Sequence, residues 1–194
     1  CRILRSFSMA TLTLAICARN ASDIIGQCLE SIQRQTVAPD RVVVAVDDSS
    51  DPTAAVARRF DVDVIVTNST GLYEARNAVL HSCQTDYLAF TDADCTLVPD
   101  WVERAKAVLD GDASIAAGTG RHPPNGPRTF ASWLHHRWYV VETERTGETG
   151  HVIGGNSYFR ADALRAVNGW LRLPRHSAAE DMYISEALRR AGHR

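Results

Sequence analysis

The sequence predicts an α/β fold built on a mostly parallel sheet flanked by helices. Two observations carry this. Short β-rich apolar runs alternate with segments whose apolar residues recur at helical spacing, giving strand–helix units in succession through the first half of the chain. Acidic residues then stand where those strands end, at Asp47-Asp48 and again at Asp92 and Asp94. In a parallel sheet the strand C-termini share one edge, and ligands of open α/β sheets bind there.

Residues 11–17 are apolar enough for a central strand. A polar turn, Ala18 to Ser22, follows. Ile24, Ile25, Cys28, Leu29 and Ile32 then mark a helix, with Ser22 as its expected N-cap. Residues 42–46 form the second strand, running into Asp47 and Asp48. Asp51 is placed to cap the next helix, with Pro52 at its first position. Residues 62–67 form a third strand. Gly71 opens a helix with Leu72, Ala75, Val79 and Cys83 on one face. Residues 86–90 form the fourth strand, ending at Asp92-Ala93-Asp94.

The second half is less regular. A helix is expected over 99–109 with Trp101, Val102, Ala105 and Val108 inward, then a short strand over 114–118. Proline places a loop at 121–129, and an aromatic-rich helix is expected over 130–144. Its Trp133 and Tyr139 read as core packing, and His135 and His136 as surface residues. After a turn at 146–150, residues 152–160 read as a strand broken by Gly154-Gly155. A helix over 162–167, a polar loop over 173–178 and a last helix opened by Glu180-Asp181 complete the pattern. That helix carries Ile184, Ala187 and Leu188, and Gly192 reads as its C-cap.

The chain has 194 residues, 45% hydrophobic and 23% charged, with a formal net charge of -2. That suits one domain, taken as 9–194, with residues 1–8 expected to be a disordered extension. A near-zero charge argues against a nucleic-acid partner. Cys1, Cys17, Cys28, Cys83 and Cys95 are scattered without a C-x-x-C pair, so reduced thiols are expected rather than a disulfide framework or zinc knuckle. No apolar run reaches the length of a membrane span. The Gly192 cap with almost nothing after it suggests a fragment of a longer protein.

Two carboxylates one residue apart at a strand end need a positive partner, because burying them unpaired is costly. Magnesium is held by a few hard oxygen donors, with phosphates filling its open positions. Each acidic cluster also has a plainer reading. Asp47, Asp48, Asp92 and Asp94 suit turns. Glu180 and Asp181 favour a helix N-terminus. Arg76 and Asn77 could lie on a solvated helix face.

The order and spacing of the whole set resemble the catalytic domain of a family 2 glycosyltransferase with the GT-A fold. The pieces are Asn20-x4-Ile25-x2-Cys28-Leu29-x-Ser31-Ile32-x2-Gln35-Thr36, Val46-Asp47-Asp48-Ser49-Ser50-Asp51-x-Thr53 and Gly71-x3-Ala75-Arg76-Asn77. Phe90-Thr91-Asp92-Ala93-Asp94, Gly154-Gly155-Asn156-Ser157-x-Phe159-Arg160 and Glu180-Asp181 follow in order. The resemblance implies a Rossmann-like sheet with the nucleotide site at the strand C-terminal edge. It implies a UDP- or GDP-linked donor and Mg²⁺ or Mn²⁺. The acceptor would be a saccharide, lipid or other hydroxyl, as in cell-envelope polysaccharide synthesis. Ala18, Arg19 and Asn20 would line the nucleotide pocket. Asp47 or Asp48 would bind the base, and Arg76 would sit near the base or phosphates. Asp92 and Asp94 would be the D-x-D pair, the first toward the ribose and the second toward the metal. Gly155 and Asn156 would approach the sugar or acceptor, with Glu180 beside them, and Asp181 would be the general base. One base and one attack imply inversion. A cytoplasmic location is expected, at the inner face of a membrane if missing segments anchor it.

Two departures stand out. Pro usually follows the first strand; Ala18 replaces it, which predicts a looser turn. A Q-x-x-R-W motif, often found further on in processive members, and a metal-ligating His found downstream in some relatives are absent, because the sequence ends first. Two other readings remain open. A GT-A-like nucleotidyltransferase would carry a Gly-rich basic loop after the first strand, which residues 18–22 lack. A nucleotide-sugar-binding protein without catalysis would not need Asp92, Asp94 and Asp181 intact.

Overall fold

The computed structural model describes residues 10–47, 49–68, 71–120, 151–173 and 179–193. The elements are β1 (Leu12–Ala18), α1 (Ile25–Gln33), β2 (Arg41–Asp47), α2 (Thr53–Ala57), β3 (Asp63–Thr67) and α3 (Leu72–Ser82). They continue with β4 (Tyr87–Asp92), α4 (Trp101–Gly111), β5 (Ala117–Thr119), β6 (Asn156–Arg160), α5 (Ala161–Ala166) and α6 (Glu180–Arg190). The extension at 1–8, Asp48, the loop at 121–129, the aromatic helix at 130–144, the turn at 146–150 and most of the polar loop at 173–178 lie outside the described residues.

The strand order is β3-β2-β1-β4-β6-β5. The first four strands are parallel, and β6 pairs antiparallel with both β4 and β5. Right-handed crossovers explain the layering. The chain moves outward from β1 to β3, which puts α1 and α2 on one face. It then returns past β2 and β1 to β4, which puts α3 on the other. Leu12, Leu14 and Ile16 pack with Ile25, Leu29, Val102 and Leu109 on the first face. Ala15, Leu88 and Phe90 pack with Val79, Leu164, Ile184 and Leu188 on the second. β1 is therefore covered on both faces, which is why its sequence is a continuous apolar run.

Four local expectations change. β4 runs through Asp92, so the first acidic residue is the last of the strand. β6 starts only at Asn156, because Gly154 and Gly155 form a turn closed by Asn156 N–H on Ile153 O at 2.9 Å. Ser22 does not cap α1. Its hydroxyl bonds Asp23, and the Ala21 carbonyl receives the Ile24 and Ile25 N–H groups. In α4 it is Leu109, not Val108, that is buried, because Trp101, Ala105 and Leu109 lie four apart on one face. Asp51 does satisfy the start of α2, accepting the Thr53 N–H at 3.0 Å. The Thr53 hydroxyl also bonds it, which holds the Asp51 carboxyl low, at about 2. Gly192 ends α6 at φ 88 with a paired closure, Gly192 N–H to Arg189 O and His193 N–H to Leu188 O.

Leu109→Ala should cost about 2–5 kcal/mol, the range for emptying a packed Leu site. Val108→Ala, at a position 39% exposed, should stay within about 0.5 kcal/mol. Urea unfolding of both variants checks the assignment, and equal losses would contradict it.

Candidate active site

Three adjacent parallel strands, β2, β1 and β4, deliver Asp47, Ala18 and Asp92 to one edge. Cys17 lies opposite Asp92, and Ala18 opposite Val46. The chain reverses direction between β2 and β4 around β1, so this edge is a topological switch point. Asp47 is buried and accepts the Thr67 hydroxyl at 2.9 Å. Ala18 is buried and Arg19 exposed.

The turn after β1 is not loose. Asn20 takes a left-handed φ of 48, a conformation Asn tolerates better than most residues. Its amide oxygen accepts the Ser50 N–H at 2.9 Å. The N–H groups of Asn20, Ala21 and Ser22 donate to the side chains of Ser49, Thr53 and Asp51 at 3.0, 2.8 and 2.9 Å. The loops after β1 and β2 are thus one interlocked unit, and Asn20 is a stitch within it.

Asp92, Asp94 and Cys95 each bring a donor atom to within 4.8 Å of one another. Burial raises the Cys95 thiol above its ordinary value, and Asp92 and Asp94 raise it further. It therefore stays protonated, leaving the two exposed carboxylates as the charged donors. Such oxygens suit Mg²⁺ or Mn²⁺. Cys17 and Cys28 are pushed up to about 12, mainly by burial. Cys17, Cys28, Cys83 and Cys95 are free thiols. Cys95 adjoins the two carboxylates, and Cys28 Sγ–H points to the Asp92 carbonyl at 3.4 Å.

The segment after Asp94 is fastened to α1 and the turn that follows it by residues whose role the sequence did not show. Gln35 donates to Val98 O at 2.8 Å and accepts the Val102 N–H at 3.0 Å. The latter satisfies a free donor in the first turn of α4. Ser31 accepts the Leu97 N–H at 3.0 Å.

The second half of the site is the Gly154-Gly155 turn. A Cβ on Gly155 would strike the Asp92 carboxylate, and one on Gly154 would strike the Arg76 guanidinium and Asp181. Only glycine allows both approaches. Arg76 is not on a solvated face; it is 4% exposed. Its Nη1 donates to Asp181 Oδ1 at 3.0 Å, and the Gly154 N–H donates to Asp181 Oδ2 at 2.7 Å. Burial raises the neighbouring Glu180 carboxyl, with Arg76 opposing and Asp181 adding to the rise. Asn156 is buried, and its amide oxygen accepts the Trp101 indole N–H at 2.6 Å. Asp48 lies outside the described residues. The structure thus brings Asp92, Gly155, Arg76 and Asp181 into one constellation.

The family model for glycosyl transferase family 2 matches residues 13–167. The chain belongs to glycosyl transferase family 2. It is 38% identical over 100 residues to the 4,4'-diaponeurosporenoate glycosyltransferase of Staphylococcus aureus, covering 48% of this chain and 26% of that protein. It is 29% identical over 113 residues to the glycosyltransferase GlyA of Streptococcus pneumoniae, covering 55% of this chain and 16% of that one. The chain thus spans about a quarter or less of these curated relatives. Among solved structures it resembles the mannosyltransferase PcManGT of Pyrobaculum calidifontis, in complex with GDP-Man and Mn²⁺. The TM-score is 0.75 at 23% identity, covering 97% of this chain and 54% of that one. It also resembles Staphylococcus aureus TarS, with a TM-score of 0.65 at 17% identity, over 92% of this chain and 55% of that one. The sheet is that of the GT-A fold. Among the described residues no helix is long and apolar enough to cross a membrane.

Gly155→Ala should displace the Asp92 carboxylate and weaken Mn²⁺-dependent UDP or GDP binding by about 10–100-fold, the range for disturbing the support of a metal ligand. Calorimetric titration checks this. Unchanged affinity would show that Asp92 is not held by this glycine.

Proposed function

We propose that this domain transfers a sugar from a nucleotide-diphosphate donor to an acceptor hydroxyl, with inversion at the anomeric carbon. One observation carries the reading: adjacent glycines seat two carboxylates from distant parts of the chain, Asp92 on Gly155 and Asp181 by Gly154. A donor-side group and a base therefore flank one short turn.

In this reading Asp94, with Asp92, holds Mg²⁺ or Mn²⁺, and Asp92 also faces the ribose. When bound, the ion neutralises charge developing on the departing diphosphate. Asp47 or Asp48 takes the base, and Ala18, Arg19 and Asn20 form the pocket wall. Gly155, Asn156 and Glu180 lie on the donor side, while the guanidinium of Arg76 is committed to Asp181. Asp181 receives the proton of the acceptor hydroxyl. The acceptor oxygen bonds to the anomeric carbon as the bond from that carbon to the phosphate oxygen breaks. Its electron pair leaves on the diphosphate. The transition state is oxocarbenium-like, and a single displacement inverts the centre. PcManGT was solved with GDP-Man and Mn²⁺, and glucosyl-3-phosphoglycerate synthase of Mycobacterium tuberculosis with UDP. Both support a UDP- or GDP-linked donor here. The acceptor is a saccharide, lipid or other hydroxyl, and the setting is cytoplasmic.

Asp94→Ala should abolish Mn²⁺-dependent binding of UDP and GDP, and Asp94→Glu should only weaken it. Calorimetry with and without Mn²⁺ decides this, and wild-type affinity in Asp94→Ala would sink the metal assignment.

Asp181→Asn should cut turnover by about 10²-fold or more, as for loss of a general base. Nucleotide affinity should hold. Because Asp181 is the countercharge of buried Arg76, the variant should also lose about 1–3 kcal/mol of stability. Turnover of a nucleotide-sugar near the wild-type rate would exclude Asp181 as the base.

A further inference from the structure

We infer that Arg76 is a positioning residue for Asp181: its buried guanidinium fixes one oxygen of that carboxylate while the Gly154 N–H fixes the other. The inference rests on the proposed role of Asp181 as the base.

Arg76 is itself held from several sides. Its guanidinium carbon lies 5.9 Å from the Phe90 ring centre and 5.7 Å from that of Trp170, within the range of cation–π attraction. Those rings are packed edge-on at 5.1 Å, and Phe159 braces Trp170 at 5.6 Å. Asn77, the next residue of α3, clamps the Trp170 backbone with two bonds. Its amide N–H donates to Trp170 O at 2.8 Å, and its oxygen accepts the Trp170 N–H at 2.9 Å. The Ala75-Arg76-Asn77 segment therefore builds both the guanidinium and its aromatic seat.

Asp181 is tied down from its own helix as well. Ser185, one turn on, donates to the Asp181 carbonyl and accepts the Val152 N–H at 3.0 Å. The segment leading to Gly154 is thus anchored to the first turn of α6. With Oδ1 on Arg76 and Oδ2 on Gly154, the carboxylate has little rotational freedom. Its side chain is 29% exposed, against 5% for Arg76. The acid can meet an acceptor; the guanidinium behind it is poorly placed to meet a donor. Removing one partner of a buried pair is costly, but stability alone does not need this geometry. A fixed orientation does, because small displacements of a catalytic group cost much in rate.

The test compares Arg76→Lys, Gly154→Ala, Asp181→Asn and the Arg76→Lys/Asp181→Asn double variant. Lys keeps the charge and loses the planar fork. Affinity for UDP and GDP with Mn²⁺ is measured by calorimetry. Turnover is followed by hydrolysis of UDP-glucose and GDP-mannose, and Gly154 amide exchange by NMR. Arg76→Lys and Gly154→Ala should keep nucleotide Kd within about threefold and lower kcat by about 10–100-fold. The double variant should be no slower than Asp181→Asn alone, as for residues acting as a unit. In Arg76→Lys the Gly154 amide should exchange at least about tenfold faster as its acceptor is released, a readout that needs no turnover.

A Kd that rises in step with lost turnover would make Arg76 a donor contact and overturn the inference. So would multiplicative losses in the double variant, or an unchanged Gly154 amide. Asp181→Asn turning over near the wild-type rate would overturn the proposed base and this inference together. A slow Asp181→Asn with any of the other failures would overturn the inference alone.

Discussion

A guanidinium buried in a protein interior must find a countercharge, and for Arg76 that charge is 105 residues away. The Arg76–Asp181 pair ties α3, from the first half of the chain, to the start of α6. Much of the site's second half follows from it. The turn before β6 must be glycine where it crosses the pair. Trp170 must lie where it can flank the guanidinium, and Asn77 holds it there. Breaking such a pair by removing one partner is far more costly than never having built it. The pair therefore constrains several segments at once.

The other constraint is topological. Reversal of chain direction around β1 places the ends of β2, β1 and β4 side by side, with the interlocked loops after β1 and β2 forming one wall. Because α1 and α3 lie on opposite faces, the edge is supported from two sides. Ser31 of α1 and Gln35 just past its end fasten the segment beyond Asp94. Arg76 of α3 supports the Gly154-Gly155 turn from behind. The acidic pair thus sits between two rigid attachments, as a preorganised site requires.

Much of this was legible in the sequence. The apolar runs of β1, β2 and β4 gave the parallel sheet, because strands buried on both faces leave an unbroken apolar signature. Asp92 and Asp94 were legible because their position follows from where a strand ends. Gly192 was legible because helix closure is local chemistry. What could not be read depends on partners distant in the chain. Helical spacing put Ala75 and Val79 inward but left Arg76 at the border of the buried stripe. Asp181, Phe90 and Trp170, brought to it by the fold, make its burial tolerable. Ser22 looked like a cap, but Asp51 from the next loop took its N–H. Val108 and Leu109 are adjacent and both apolar, so a small error in helix phase exchanged them. The bond that Asn156 accepts from the Trp101 indole could not be read either, because that indole is 55 residues away.

The most direct measurement is a crystal structure of the protein grown with Mn²⁺ and UDP or GDP, with data collected at the manganese absorption edge. One anomalous peak is expected at ligand distance from Asp94, with the diphosphate on its far side and the base over the ends of β1 and β2. Arg76 should remain on Asp181 and away from the phosphates. A manganese peak away from Asp92 and Asp94, or a diphosphate resting on Arg76 with Asp181 released, would contradict this.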